Sequence, residues 1–238
     1  MNHRRSLFAS AVPLALGLLG AGPALAAVPA VSVRVEGAHT TLLPARVVTA
    51  PAHGSITKGG TPSGDCPADS AAGALNTATH GKWGGSYYKG LGVDVGTILG
   101  TTLSYAKGSY WGFYVNDRFA AKGICETKLL PGESLLFAPV PAKGGTPLPI
   151  VLTAPRTVRA GTPFRVRTFV YPGKGDATRP VRTPRFVVHD NSGSTTSRQA
   201  TSGRGVTTLT ESSAGTVTIV ATATGDIRSA AVTVKVTG

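Results

Sequence analysis

Aromatic side chains are the residues of this chain best suited to chemistry, and the chemistry they suit is binding. Tyr110 and Trp111 lie in the run YAKGSYWGFYVNDRFAAKGICETKLLPGESLLF, residues 105–137. Trp83, Tyr87 and Tyr88 lie in GKWGGSYYKG, which reads as a Gly-rich loop. Such rings offer large contact area to a flat ligand at low entropic cost, and Trp and Tyr add a polar handle. Packing alone also accounts for them. In SYWGFYV, Trp111, Phe113 and Val115 alternate with Tyr110, Gly112 and Tyr114, as any strand with one buried face would.

Catalytic groupings are absent by pattern. His39, His53, His80 and His189 show no i, i+4 metal spacing. GLGVDVG is no dinucleotide fingerprint, because its third glycine falls one residue late and no strand–turn–helix unit follows. There is no G-x-S-x-G and no phosphate loop. The expectation is a protein that is not an enzyme and needs no cofactor.

The elements that must position the aromatics read as strands around one helix. VSVRVEG alternates Val31, Val33 and Val35 with Ser32, Arg34 and Glu36, a half-buried strand. TLLPARVVTA is a second, with Pro44 indicating an edge or bend. Ala71, Ala74, Leu75 and Ala78 fall on one helical face, with Asp69 or Ser70 as N-cap and Gly81 at the C-terminal end. LGVDVGTILGTTLSY is only loosely strand-like. Asn116-Asp117 is a two-residue hairpin turn, and ETKLL and ESLLFAPV give strands on either side of Pro131-Gly132. Strands, one helix, then strands predict an α+β first domain with the helix on a mixed sheet.

The domain boundaries follow composition. APVPAKGGTPLP, with four prolines and a Gly-Gly pair, reads as a linker, placed at residues 141–149. Residues 150–238 carry no helix signal. PIVLTAP, PFRVRTFVY, RFVVHD, GVTTLTE, TVTIVATA and AAVTVKVTG are short Val/Thr-rich runs between turn residues, which predicts an immunoglobulin-like β-sandwich.

At the start, Arg4 and Arg5 precede an apolar run and the A-x-A site Ala24-Leu25-Ala26. Residues 1–26 are expected to be a secretory signal peptide, since the run is short and broken by Pro13, Gly17 and Gly20. A secreted, extracellular or cell-surface location follows. Export puts Cys66 and Cys125 in an oxidising compartment, where an even count predicts a disulfide.

The formal charge of +13 is uneven. Residues 27–140 hold nine Lys and Arg against seven Asp and Glu, whereas residues 141–238 hold thirteen against four. Arg165, Arg167, Arg182 and Arg185 are candidate contacts for an anionic cell-wall polymer. Nucleic acid is not expected as a partner, since an exported chain is separated from it.

Residues 31–140 resemble the transcobalamin-like C-terminal domain family, a β-grasp-like module. The resemblance rests on VSVRVEG, on the cysteine before the small-residue helix ALNTA, and above all on YWGFYVNDRFAAKGICETKLLPGESLLF. That family usually has Val-Asn-Gly at the hairpin, where this chain has Asp117. The resemblance implies a ligand-facing module. In vitamin B12 carriers such a domain closes over the corrin against a helical-barrel domain that supplies the cobalt-coordinating histidine. It therefore implies either a cobalamin-like corrinoid, with a separate helical-barrel partner completing the site, or another small ligand; Tyr110 and Trp111 are the aromatics that could line it. The second half is similar to bacterial Ig-like surface modules. The competing expectation is a structural or adhesive surface scaffold with no small ligand.

Overall fold

The computed structural model describes residues 29–173, 175–190, 192–200 and 203–238. The segment read as a signal peptide lies outside the described residues.

The first half builds eight strands and one helix. They are β1 (Ala30–Glu36), β2 (Thr41–Thr49), α1 (Ala71–Ala78), β3 (Trp83–Tyr88), β4 (Gly92–Ile98), β5 (Thr101–Thr102), β6 (Ser109–Val115), β7 (Arg118–Phe119) and β8 (Ser134–Pro141). A mixed sheet runs β2-β1-β8-β6-β7, with β1 parallel to β8 and the other pairs antiparallel. Strands β3, β4 and β5 form a separate antiparallel sheet. β2 is an edge, where Pro44 costs no ladder bond.

α1 packs its alanines and Leu75 onto β1 and β2. Its start is not closed by a capping side chain. Ser70 occupies the N-cap, but its hydroxyl donates to the Pro67 carbonyl. The free N–H groups of Ala71 and Ala72 instead donate to the carbonyls of Thr127 and Ile124, each at 3.0 Å. ETKLL is not a strand beyond a single bridge from Lys128 to Ser70, and its Thr127 carbonyl accepts from the helix start. Gly73 lets α1 approach so closely: a Cβ there would lie 1.7 Å from the Ala68 carbonyl oxygen.

GKWGGSYYKG, read from its glycines as a loop, instead carries the strand β3. Its glycines permit the pairing, since a Cβ on Gly85 would meet the Asp94 carbonyl at 2.0 Å. The pair absorbs a register shift between Gly84 and Gly85.

The second half contains strands alone among its described residues. They are β9 (Val151–Thr153), β10 (Thr157–Arg159), β11 (Phe164–Val170), β12 (Arg179–Pro180), β13 (Arg185–His189), β14 (Thr195–Gln199), β15 (Val206–Leu209), β16 (Gly215–Thr222) and β17 (Val232–Thr237). One sheet runs β10-β17-β16-β13-β14, and the other joins β9, β12 and β15 to β11. Leu152, Phe164, Val166 and Leu209 from one sheet meet Phe186, Ile219, Ala221 and Val234 from the other in a single core. The protein is mostly β, with one α-helix among the described residues.

The two halves meet through the far face of the first sheet. Val33 and Val35 face α1, but Arg34 and Glu36 on the opposite face are buried too. β1 is thus covered on both sides, where its alternation alone predicts one wet face. Glu36 is 2% exposed. It accepts from Arg34 at 2.8 Å, from Arg228 of the second half at 3.0 Å, and from Thr41. Tyr114, Leu136, Ala138 and Val140 pack beside this triad against Ile227. The Tyr114 hydroxyl donates to the Pro147 carbonyl, and the Ile227 N–H donates to the Leu148 carbonyl. The end of the Pro/Gly connection is therefore pinned to both halves.

Candidate functional site

β6 turns into β7 through Asn116 and Asp117, both with positive φ (50° and 60°). That is the conformation of a two-residue hairpin turn. The turn fixes the register of Val115 against Arg118 and directs residues 119–124 back along β6. Ala120 N–H donates to the Phe113 carbonyl, and the Cys66–Cys125 disulfide anchors the end of the segment. The N–H groups of α1 add the two bonds to Ile124 and Thr127.

Between this segment, β4 and β6 lies a cleft of about 300 Å³. Val95, Trp111, Phe113 and Ile124 form much of its interior, with Asp94 and Lys122 at exposed positions. Phe113 stacks on Phe137 at a centroid distance of 5.0 Å, which stiffens one wall. The cleft shares Asp94, Val95 and Tyr110 with a neighbouring hollow of about 320 Å³. Tyr105 closes that hollow, 67% exposed, with its ring 6.1 Å from Tyr110. On its outer side the 119–122 segment borders a third hollow reaching Leu130. Tyr105, Phe119 and Leu130, one at each hollow, are exposed.

The aromatics singled out in the sequence divide between different places. Tyr110 and Trp111 line the cleft. Trp83, Tyr87 and Tyr88 do not. Trp83 is buried, donates from Nε1 to Asn76 Oδ1 at 3.1 Å, and has Lys58 Nζ 5.6 Å from its ring centre. The Tyr87 hydroxyl donates to Asp65, and this bond pushes its phenol pKa up. Tyr88 is 52% exposed on the same strand. Cys66 and Cys125 are bonded to each other.

Trp111 differs from Trp83 in one respect. It is 6% exposed, and its Nε1 is fully buried without a hydrogen-bond partner among the described residues.

Sequence reasoning missed Asp94, Phe113, Phe119 and Lys122 as lining groups. Phe113 reads as core by alternation, and the other three gain meaning only when the hairpin brings residues 119–122 against β4. Of the arginines, Arg165 and Arg167 project from the outer face of β11, while Arg185 lies on β13 of the opposite sheet. Arg182 is exposed in the connection before β13. The four do not form one patch. Among the described residues, no group of three His, Cys, Asp or Glu is placed to hold a metal ion.

No protein-family model matches the chain, and no curated protein matches it. Among solved structures, a superoxide reductase (neelaredoxin) from Ignicoccus hospitalis aligns over 37% of this chain and 80% of its own. The identity is 18% and the TM-score 0.25, a likeness that carries no argument about this chain.

Proposed function

We propose that the chain is an exported, non-enzymatic ligand-capture protein. In this reading the first half is a transcobalamin-like β-grasp module and the second an Ig-like spacer. The observation that carries it is the cleft beneath residues 119–124, with aromatic walls and a rim held by a disulfide. Binding clefts are typically concave, mostly apolar and supplied with few polar groups. A mixed sheet with one helix across it, and a two-sheet sandwich without cysteines, are compatible with the two assigned modules.

A corrinoid is the ligand that the resemblance suggests. A whole corrin is far larger than the cleft, so only its edge or one side chain would enter at Tyr110. The remainder would need a wall from a second protein, such as a helical barrel. Calorimetric titration of the protein with cobalamin, with the corrin absorbance followed in parallel, tests this ligand. Saturable heat with a spectral change supports it, and no heat at high micromolar ligand removes it for the isolated chain.

A structural surface role is the second reading. It is favoured by the junction of Arg34, Glu36 and Arg228, which ties the two halves together. In that role Arg165 and Arg167 are the contacts offered to an anionic wall polymer. Salt-insensitive or absent binding to teichoic-acid-type polymer would remove that contact.

A further inference from the structure

We infer that the outer face of β11 is a docking surface for an acidic polysaccharide. Arg165 and Arg167 hold the carboxylates of its sugars, and Phe169 and Tyr171 pack against their rings. This rests on the reading of Arg165 and Arg167 as contacts for an anionic polymer, and adds the class of polymer.

Strand alternation fixes the face. Phe164, Val166, Thr168 and Val170 are buried between the sheets, so Arg165, Arg167 and Phe169 point to the opposite side. Tyr171 follows the end of the strand, and its ring centre lies 5.6 Å from that of Phe169, which puts it beside that ring. Residues two apart on a strand are separated by about 7 Å. Two cations and two aromatics therefore succeed one another in a line. Thr208 of β15 faces Arg165 and Thr153 of β9 faces Arg167, and both threonines are exposed.

The charge of this line is unanswered. Neither Arg165 nor Arg167 forms an ion pair or a side-chain hydrogen bond among the described residues. The four acidic residues of the second half are spent elsewhere or lie apart. Asp176 pairs with Arg118 of the first half. Asp190 closes its own turn by accepting from Ser192 and Ser194. Asp226 lines the interdomain cleft. Glu211 lies beyond the start of β11, where its carbonyl accepts from the Gly161 N–H. An anionic partner complements such a face.

The aromatic end of the line selects among anions. Phe169 is flanked across the sheet by Val151 and Pro180, so this end is apolar. Arg118 lies 3.9 Å from the centre of the Tyr171 ring and steadies it. A ringless polymer gains little there, whereas the apolar C–H faces of sugar rings pack on aromatic side chains. The planar fork of arginine matches a carboxylate with two parallel bonds. The threonine hydroxyls beside the arginines suit a polyhydroxylated chain.

The test compares two polymers of equal charge by calorimetry on the full chain. Oligogalacturonate carries its carboxylates on sugar rings, and poly(glycerol phosphate) is a polyanion without rings. At about 50 mM salt both should bind, and both affinities should fall as salt rises. Oligogalacturonate should bind about tenfold more tightly. Phe169→Ala should erase that preference, and the double variant Arg165→Ala, Arg167→Ala should weaken both polymers at least about tenfold. Circular dichroism checks that each variant folds. If Phe169→Ala does not fold, the two polymers on the wild type still decide. Equal affinity for both polymers would overturn the glycan class and leave the anionic contact standing. Tighter binding of a single-stranded oligonucleotide would likewise overturn the glycan class. Binding unchanged in the double arginine variant would overturn the placement on β11. Binding of neither polymer would overturn both this inference and the anionic contact on which it rests.

Discussion

The Arg118 guanidinium lies 3.9 Å from the centre of the Tyr171 ring, so a residue of the cleft hairpin rests on an aromatic of the second half. Arg118 also donates to the Gly175 carbonyl at 2.9 Å and to Asp176 at 2.8 Å. Phe119, the next residue, is a cleft wall. The wall and the domain junction are thus joined through one backbone step.

Arg118→Ala should lower stability by about 1–2 kcal/mol, through loss of the cation–π contact and the carbonyl bonds. It should also shift the amide signals of residues 119–122. Asp176→Ala should leave the urea midpoint unchanged, because Asp176 is fully exposed and its ion pair is screened by water. Equal losses in the two variants would assign the contact to charge instead of to the ring.

Glu36→Gln should be far more costly. It strips the counter-charge from Arg34, which is buried, and from Arg228, which is largely so. Removing one member of a buried ion pair costs about 3–5 kcal/mol, because the remaining charge stays out of water. Urea unfolding measures this, and a loss below about 1 kcal/mol would mean that water reaches the junction.

What the sequence made legible follows from which constraints are local. The α1 face at Ala71, Ala74, Leu75 and Ala78 depends on a short period, and so does the alternation of β6. The left-handed pair Asn116-Asp117 depends on two adjacent residues. β3 was hidden because Gly84 and Gly85 look like loop residues until Asp94 is seen beside them. β14, with every residue exposed, carries no hydrophobic alternation to read. The burial of Arg34 and Glu36 depends on Arg228, nearly two hundred residues away, and no local pattern contains it. The same holds for the cleft: Tyr110 and Trp111 stand out by type, but Asp94 and Lys122 become neighbours only through the tertiary fold.

Gly73 sets helix propensity against packing. By propensity, alanine in place of a mid-helix glycine should gain about 1 kcal/mol. Here the new Cβ would sit 1.7 Å from the Ala68 carbonyl, a backbone atom that cannot rotate away. Gly73→Ala should therefore lose at least about 3 kcal/mol, or fail to fold. Circular dichroism during thermal melting decides between the two, and a raised midpoint would show that α1 has room to move.

Asp117 provides a pH signature. Burial pushes its carboxyl pKa up, and the charges of Arg34 and Arg118 offset this only in part. An acid whose pKa is raised by folding contributes stability below its ordinary value of 3.8, and loses that contribution as pH rises through the folded value. At neutral pH the ionised side chain is therefore a net cost. Asp117→Asn removes the charge and keeps a residue that accepts positive φ in the turn. The variant should gain most over the wild type at about pH 7, and the gain should shrink towards about pH 3. Urea midpoints at the two pH values measure the difference. A gain that instead grows as pH falls would mean that attraction to Arg34 and Arg118 outweighs burial, reversing the sign of the pKa shift.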